Sequence, residues 1–183
     1  MSIPCQIRKS RRARRLRLCV YRGGRVVLTV PQRVSLAEAE RFLKAKAAWV
    51  ERAVRRQLEM ARRAIQLPLG DFKTDKKHAL QFVLEKLRHW NQTYGFEFKR
   101  VTVRNQKTKW GSCSRRGSLN FNFRILYLPP ELADYLVVHE LCHLREMNHS
   151  RRFWTLVAQA IPGYKSVRKQ LRLVDITKAP QFS

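Results

Sequence analysis

The stretch His139-Glu140-Leu141-Cys142-His143 constrains this chain more than any other, because an H-E-x-x-H pattern acquires its chemistry only on a helix. Residues four apart on a helix point within about 40° of each other, so His139 and His143 can grip one ion between them. Glu140 lies one position round, near enough to act on a water held at that ion without ligating it. That is the zinc-hydrolase arrangement, in which imidazoles fix the ion and a carboxylate serves as general base. A third histidine, His149, follows six positions after His143. An unbroken helix would carry it about 15 Å from His139, far beyond zinc–nitrogen bonds of about 2.0–2.1 Å. The chain is therefore expected to turn back after Glu146 or Met147, with Asn148 tolerating a left-handed conformation and Ser150 capping a new helix.

The surrounding residues widen the pattern. Trp110-Gly111-Ser112-Cys113, Leu119-Asn120-Phe121-Asn122, Pro129, the run Tyr135-Leu136-Val137-Val138 that enters the histidine motif, Asn148-His149-Ser150 and Phe153-Trp154 together resemble the YgjP-like metallopeptidase family. That family is similar to the SprT-like and WLM zinc peptidases. The resemblance extends over most of the chain, including the basic amino-terminal stretch and a helix bearing Trp49. It implies an α+β, zincin-like metallopeptidase core, a small sheet packed on the H-E-x-x-H helix. It further implies that His139, His143 and His149 bind one zinc ion per chain and that Glu140 is the catalytic base. The family name records a peptidase-like site for a peptide or protein, and the resemblance does not settle what is cleaved. One departure stands out: zinc proteases with this histidine spacing commonly turn on a glycine where Glu146 stands. Glu146 lies about 20° round the helix from His139, so it either supports a ligand histidine or marks a longer helix.

Charge raises the rival readings. The sequence has 183 residues, with 39 Lys and Arg against 13 Asp and Glu, a net +26. Such an imbalance points to polyanionic partners more than to any fold. It leaves room for a nucleotide substrate whose phosphoanhydride is hydrolysed at the same metal, although no Gly-rich phosphate loop is present. It also leaves room for nucleic acid docked on the amino-terminal region. No C-x-x-C pair links Cys5, Cys19, Cys113 and Cys142, and Cys142 reads as a small buried hydrophobe. No apolar span or leader is visible, so the expected compartment is the cytoplasm, without membrane contact.

In chain order, residues 1–66 read as a basic β-hairpin followed by a long helix. Strands at residues 16–21 and 25–30 flank Gly23-Gly24, and Ser35-Leu36-Ala37-Glu38 opens a helix to about residue 64. Phe42, Leu43, Trp49, Val50, Val54 and Leu58 recur at helical spacing and read as a packed face. The first 63 residues hold 18 Lys and Arg and 4 Asp and Glu, a net +14. The arginines from Arg8 to Arg15 either grip a polyanion or guard a strand edge. Leu67-Pro68-Leu69-Gly70 breaks the chain before a hydrolase domain at residues 72–174, and residues 175–183 read as a frayed tail. Within that domain a helix at 72–93, a strand at 97–104, a polar loop at 105–116 and a strand at 118–126 precede the metal helix. By fold analogy, strand 118–126 is expected at the sheet edge, where extended substrate can pair. Trp110, Gly111, Ser112, Asn120 and Asn122 are the candidate substrate contacts, with Trp110 either a cleft wall or plain core. Arg124, Tyr127 and Tyr164 are candidates to steady an oxyanion.

Overall fold

A computed structural model describes residues 4–68, 70–174 and 176. The chain divides into two compact units, one up to Ala64 and the other from Ile65. The expected tail at 175–183 lies outside the described residues except for Ile176.

The first unit has three strands where two are expected. β1 (Cys5–Ser10), β2 (Arg17–Val20) and β3 (Val26–Pro31) form a sheet in the order β1-β3-β2, with β3 parallel to β1 and antiparallel to β2. The hairpin is real: Gly23 and Gly24 take φ of 80° and 82°, and Tyr21 N–H donates to the Arg25 carbonyl at 2.8 Å. Its hydrophobicity puts β3 in the centre, with Val26, Leu28 and Val30 fully buried. Leu28 and Val30 pack with Ala39 of helix α1 (Leu36–Ala45), whose start is capped by Ser35 Oγ accepting from Glu38 N–H at 3.1 Å. The single long helix breaks in two. At Lys46 (φ −101°, ψ 6°) the amide is shared between the Phe42 and Leu43 carbonyls, and α2 (Ala47–Arg62) starts afresh. The new start rotates the periodic face. Val50 is buried, but Trp49 and Leu58, expected on the packed face, are 45% and 43% exposed.

In the second unit, α3 (Phe72–Asn91) is capped by Asp71, whose carboxylate accepts from Lys73 N–H at 2.9 Å. Ala79, Val83 and Leu87 form its fully buried stripe at four-residue spacing. Gly95, at φ 62°, then turns the chain, as expected of a helix end. β4 (Arg100–Arg104), β5 (Gly111–Cys113) and β6 (Ser118–Asn122) form a sheet in the order β4-β6-β5. Two expectations are corrected here. The loop at 105–116 contains a strand, β5, too short and too polar to announce itself by alternation. The strand expected over 118–126 stops at Asn122, because residues Phe123–Tyr127 coil into a 3₁₀ turn. β6 is also the centre of the sheet, parallel to β4 and antiparallel to β5, so both its ladders are filled. The edge beside the H-E-x-x-H helix is β5.

That helix, α4 (Pro130–Cys142), is buried on nearly every side from Leu132 through Cys142, with only Asp134 and His139 partly exposed. Leu132, Leu136, Val137 and Leu141 meet Val83, Leu87, Leu119 and Phe121 in the main core, while Val138 and Cys142 meet Phe153 and Val157 of α5 (Arg151–Ala160). Asp134 ties α4 to α3, its Oδ1 accepting from Lys86 Nζ at 2.5 Å and Trp90 Nε1 at 2.9 Å. α6 (Tyr164–Leu171) packs against α4, and a parallel bridge from Ile65 to Val174 closes the unit. The expected α+β core, a small sheet packed on the H-E-x-x-H helix, is present. Among the described residues, no helix is long and apolar enough to cross a membrane.

Candidate metal centre

The helix ends earlier than expected, and its end brings the third histidine back. α4 stops at Cys142, with one further turn closed by Glu146 N–H on the Cys142 carbonyl at 2.9 Å. Asn148 does not adopt the left-handed conformation assigned to it; no described non-glycine residue does. Its side chain makes the turn instead, Oδ1 accepting from Ser150 N–H at 3.1 Å. Ser150 Oγ then caps α5 by accepting from Phe153 N–H at 3.3 Å.

This return path sets His149 Nε2 at 3.1 Å from His139 Nε2, and His143 Nε2 at 3.2 Å from the same atom. Among the described residues these three side chains form a cluster able to hold a metal, their ligand atoms all within 4.8 Å of one another. Four donors around a tetrahedral ion at bonds of about 2.0–2.1 Å stand roughly 3.3–3.4 Å apart, close to the two separations measured from His139. Glu146 enters through its backbone: its carbonyl is 2.9 Å from His143 Nδ1. A carbonyl only accepts, so Nδ1 carries a hydrogen and Nε2 is the ring atom turned to the cluster. Tyr135, one turn before His139, sets its hydroxyl 3.4 Å from His139 Nδ1 and so fixes the orientation of that ring.

Electrostatics agrees with the geometry. Burial, then the neighbouring His143, His149 and Arg168, push His139 down to about 3. His149 is also held below the usual histidine value, by burial and then by His143 and Arg168. His139 and His149 are thus held toward the neutral form, the state in which an imidazole ligates a metal. Phe153, fully buried, lies against all three imidazoles, its ring centroid 4.5–4.9 Å from theirs. Trp154 stacks on His149 at 5.5 Å and on Tyr164 at 5.1 Å, with Arg168 over the indole at 4.6 Å. These aromatic supports are not visible as such in the sequence; the four-residue step from Tyr135 to His139 was the available signal.

Glu140 is 4% exposed, and its Oε2 has no hydrogen-bond partner. Burial pushes its carboxyl up to about 8, against the opposing pull of Lys109. An unsatisfied buried carboxyl directly following a ligand-forming histidine is well suited to a nearby cation. Gly111 of β5 makes the room. A Cβ built there would stand 2.6 Å from Glu140 Oε1. The other predicted contacts divide. Trp110 is half-buried against the main core, and Ser112 pairs with half-buried Asn120 across the β5–β6 ladder. Asn120 is engaged by the Thr102 hydroxyl. Asn122 is wholly buried and spent on the protein itself, its amide donating to the Gln106 and Lys109 carbonyls at 2.6 and 3.2 Å while Oδ1 accepts from Arg124 N–H at 3.1 Å. It therefore shapes the loop that carries Lys109 and Trp110, and its loss is expected to strand these groups. Asn122→Ala should cost about 2–4 kcal/mol, within the range for a broken buried network, and thermal melting would measure it. Of the oxyanion candidates, Tyr127 donates to Asp75 at 2.6 Å and Arg124 to the Ile176 carbonyl at 2.6 Å, whereas Tyr164 stays in the aromatic stack on His149.

The chain matches the family described as YgjP-like, metallopeptidase domain, over residues 14–71 and 72–173. Among solved structures it is similar to the metallopeptidase zymogen abylysin of Pyrococcus abyssi, with 27% identity, a TM-score of 0.45, and coverage of 49% of this chain and 90% of that one. It is also similar to the metallopeptidase zymogen jannalysin of Methanocaldococcus jannaschii, at 19% identity, a TM-score of 0.39, and coverage of 53% and 93%. No curated protein matches the chain.

Proposed function

Because this chain belongs to the YgjP-like metallopeptidase family, we propose that it cleaves peptide bonds with one zinc ion held by His139, His143 and His149 and with Glu140 as general base. The observation that carries this reading is the convergence of the three imidazoles, with the Nε2 atoms of His143 and His149 at 3.2 and 3.1 Å from that of His139, followed in the chain by a buried carboxyl with an unpartnered oxygen. Zinc in such a site supplies Lewis acidity, polarising the scissile carbonyl and making water a better nucleophile at neutral pH. The chain's own residues do the rest. Glu140 takes the proton of the attacking water and returns it to the leaving amine. Gly111 keeps the carboxylate in place, and the Glu146 carbonyl and Tyr135 hydroxyl orient two of the imidazoles. β5, the edge strand beside Glu140, is where an extended substrate could add backbone hydrogen bonds. Imidazole suits several divalent metals, and three histidines that leave a fourth position for water are a known catalytic zinc set. Nucleotide hydrolysis has no comparable support, since the family is a peptidase family and no phosphate-cradling loop exists.

The test is metal content. Protein purified without added metal, or reconstituted with zinc, should carry about one zinc per chain, and His149→Ala should lose most of it. Zinc fully retained by that variant would remove His149 from the site. Chelation should abolish peptide cleavage, and zinc should restore it.

A further inference from the structure

We infer that the first unit carries a binding site for single-stranded nucleic acid, built on Trp49 and the cations around it. Trp49 is 45% exposed although its neighbour Val50 is 1% exposed, so the helix already has its core anchor and the indole is spare. The indole is a ridge between two hollows. One, of about 530 Å³, is lined by Phe42, Lys46, Trp49 and Arg52 among others. The second, of about 220 Å³, is lined by Val20, Trp49, Arg52 and Arg56 among others. Val20 ends β2, and the next residue, Tyr21, is 46% exposed with the Arg25 guanidinium 4.7 Å above its ring. Among the described residues none of Lys46, Arg52, Arg56 and Arg25 is paired with a carboxylate.

The chemistry of this face selects its partner. An apolar protein surface would bury unpaired guanidinium groups, which is costly. An anionic partner must also offer flat rings to Trp49 and Tyr21 and negative charge at a regular repeat. A single nucleic-acid strand has both, with stackable bases and one phosphate per nucleotide. A duplex hides its ring faces, so phosphate contact alone would remain. The excess of 18 Lys and Arg over 4 Asp and Glu in the first 63 residues extends the attraction beyond the two hollows. This inference is independent of the peptidase reading, because every residue it uses lies in the first unit.

The experiment is fluorescence anisotropy of the full-length protein with a labelled oligothymidylate, the matching oligouridylate, and a duplex of equal length, over a salt series. Binding to a single strand should exceed duplex binding and weaken with salt. Trp49→Ala should weaken it about tenfold, from the loss of one stacked base, and Trp49→Phe should restore most of that. Arg52→Ala should lower affinity and flatten the salt slope by roughly one phosphate. A preference for the thymidylate or the uridylate would identify the strand as DNA or RNA, and either supports the site. The inference is overturned if no strand binds, if Trp49→Ala binds as well as wild type, or if the duplex binds as well as the single strands. Unchanged melting and zinc content in Trp49→Ala would show that any lost affinity is not lost fold.

Discussion

Replacing Glu140 with Gln should lower kcat for peptide cleavage by roughly 10²–10⁴-fold while leaving about one zinc bound per chain, the range expected for loss of a general base. Glutamine keeps the shape of the side chain and can occupy the same space against Gly111, so the three imidazoles have no reason to move. It cannot accept the proton. The metal-free variant should also be no less stable than the metal-free parent, because the carboxyl it replaces is buried, lacks a partner at Oε2 and is pushed up to about 8. Cleavage rates, metal analysis and thermal melting on one preparation separate these effects. A variant that turned over as fast as the parent would take Glu140 out of the chemistry. One that lost zinc would instead make it a support for the ligands.

The parts of this site that follow from local rules were legible in the sequence. The four-residue step from His139 to His143 is a property of any helix, and the need for a chain reversal before His149 follows from helix length alone. Ser150 reads as a cap and caps α5 as expected. Failures came where tertiary contact decided between local alternatives. Asn148 can turn a chain by left-handed backbone or by its side chain, and it used the side chain. β5 has three residues, and pairing with β6 makes it a strand. Nothing in the alternation of residues 118–126 says that Phe123 begins a 3₁₀ turn, because its buried ring suits either geometry. Asn122 sits in an alternating strand where a polar residue reads as outward-facing; its burial follows from two hydrogen-bond partners in the loop at 106–110, remote in sequence, with Arg124 N–H as a local third. In the first unit, Trp49 and Val50 are adjacent on α2 and point about 100° apart, so with Val50 buried the indole is left exposed.

A single methyl group on β5 should be nearly as damaging as the loss of the base. In Gly111→Ala the new Cβ would stand 2.6 Å from Glu140 Oε1 and 2.8 Å from its Cδ and Cγ, closer than unbonded atoms can approach. The backbone of Gly111 does not have the positive φ that would itself demand glycine, so the requirement comes from this close approach. Something must give. β5 is held by its ladder to β6, Gly111 opposite Phe121 and Cys113 opposite Leu119, and both partners are wholly buried. Glu140 is the end of a side chain and yields first. A base displaced by about 1 Å costs on the order of 10²-fold in rate, and the overpacking costs about 1–3 kcal/mol of stability. Zinc content should not fall, since no imbalance reaches the three histidines, which are positioned by Tyr135, the Glu146 carbonyl and Phe153. The decisive comparison is the double variant. If Gly111 acts through Glu140, then Gly111→Ala should lower the residual turnover of Glu140→Gln by much less than it lowers that of the parent, because the group it displaces no longer carries a proton. An equal loss in both backgrounds would mean that the glycine serves something other than the carboxylate, and the free edge of β5 would be the next place to look.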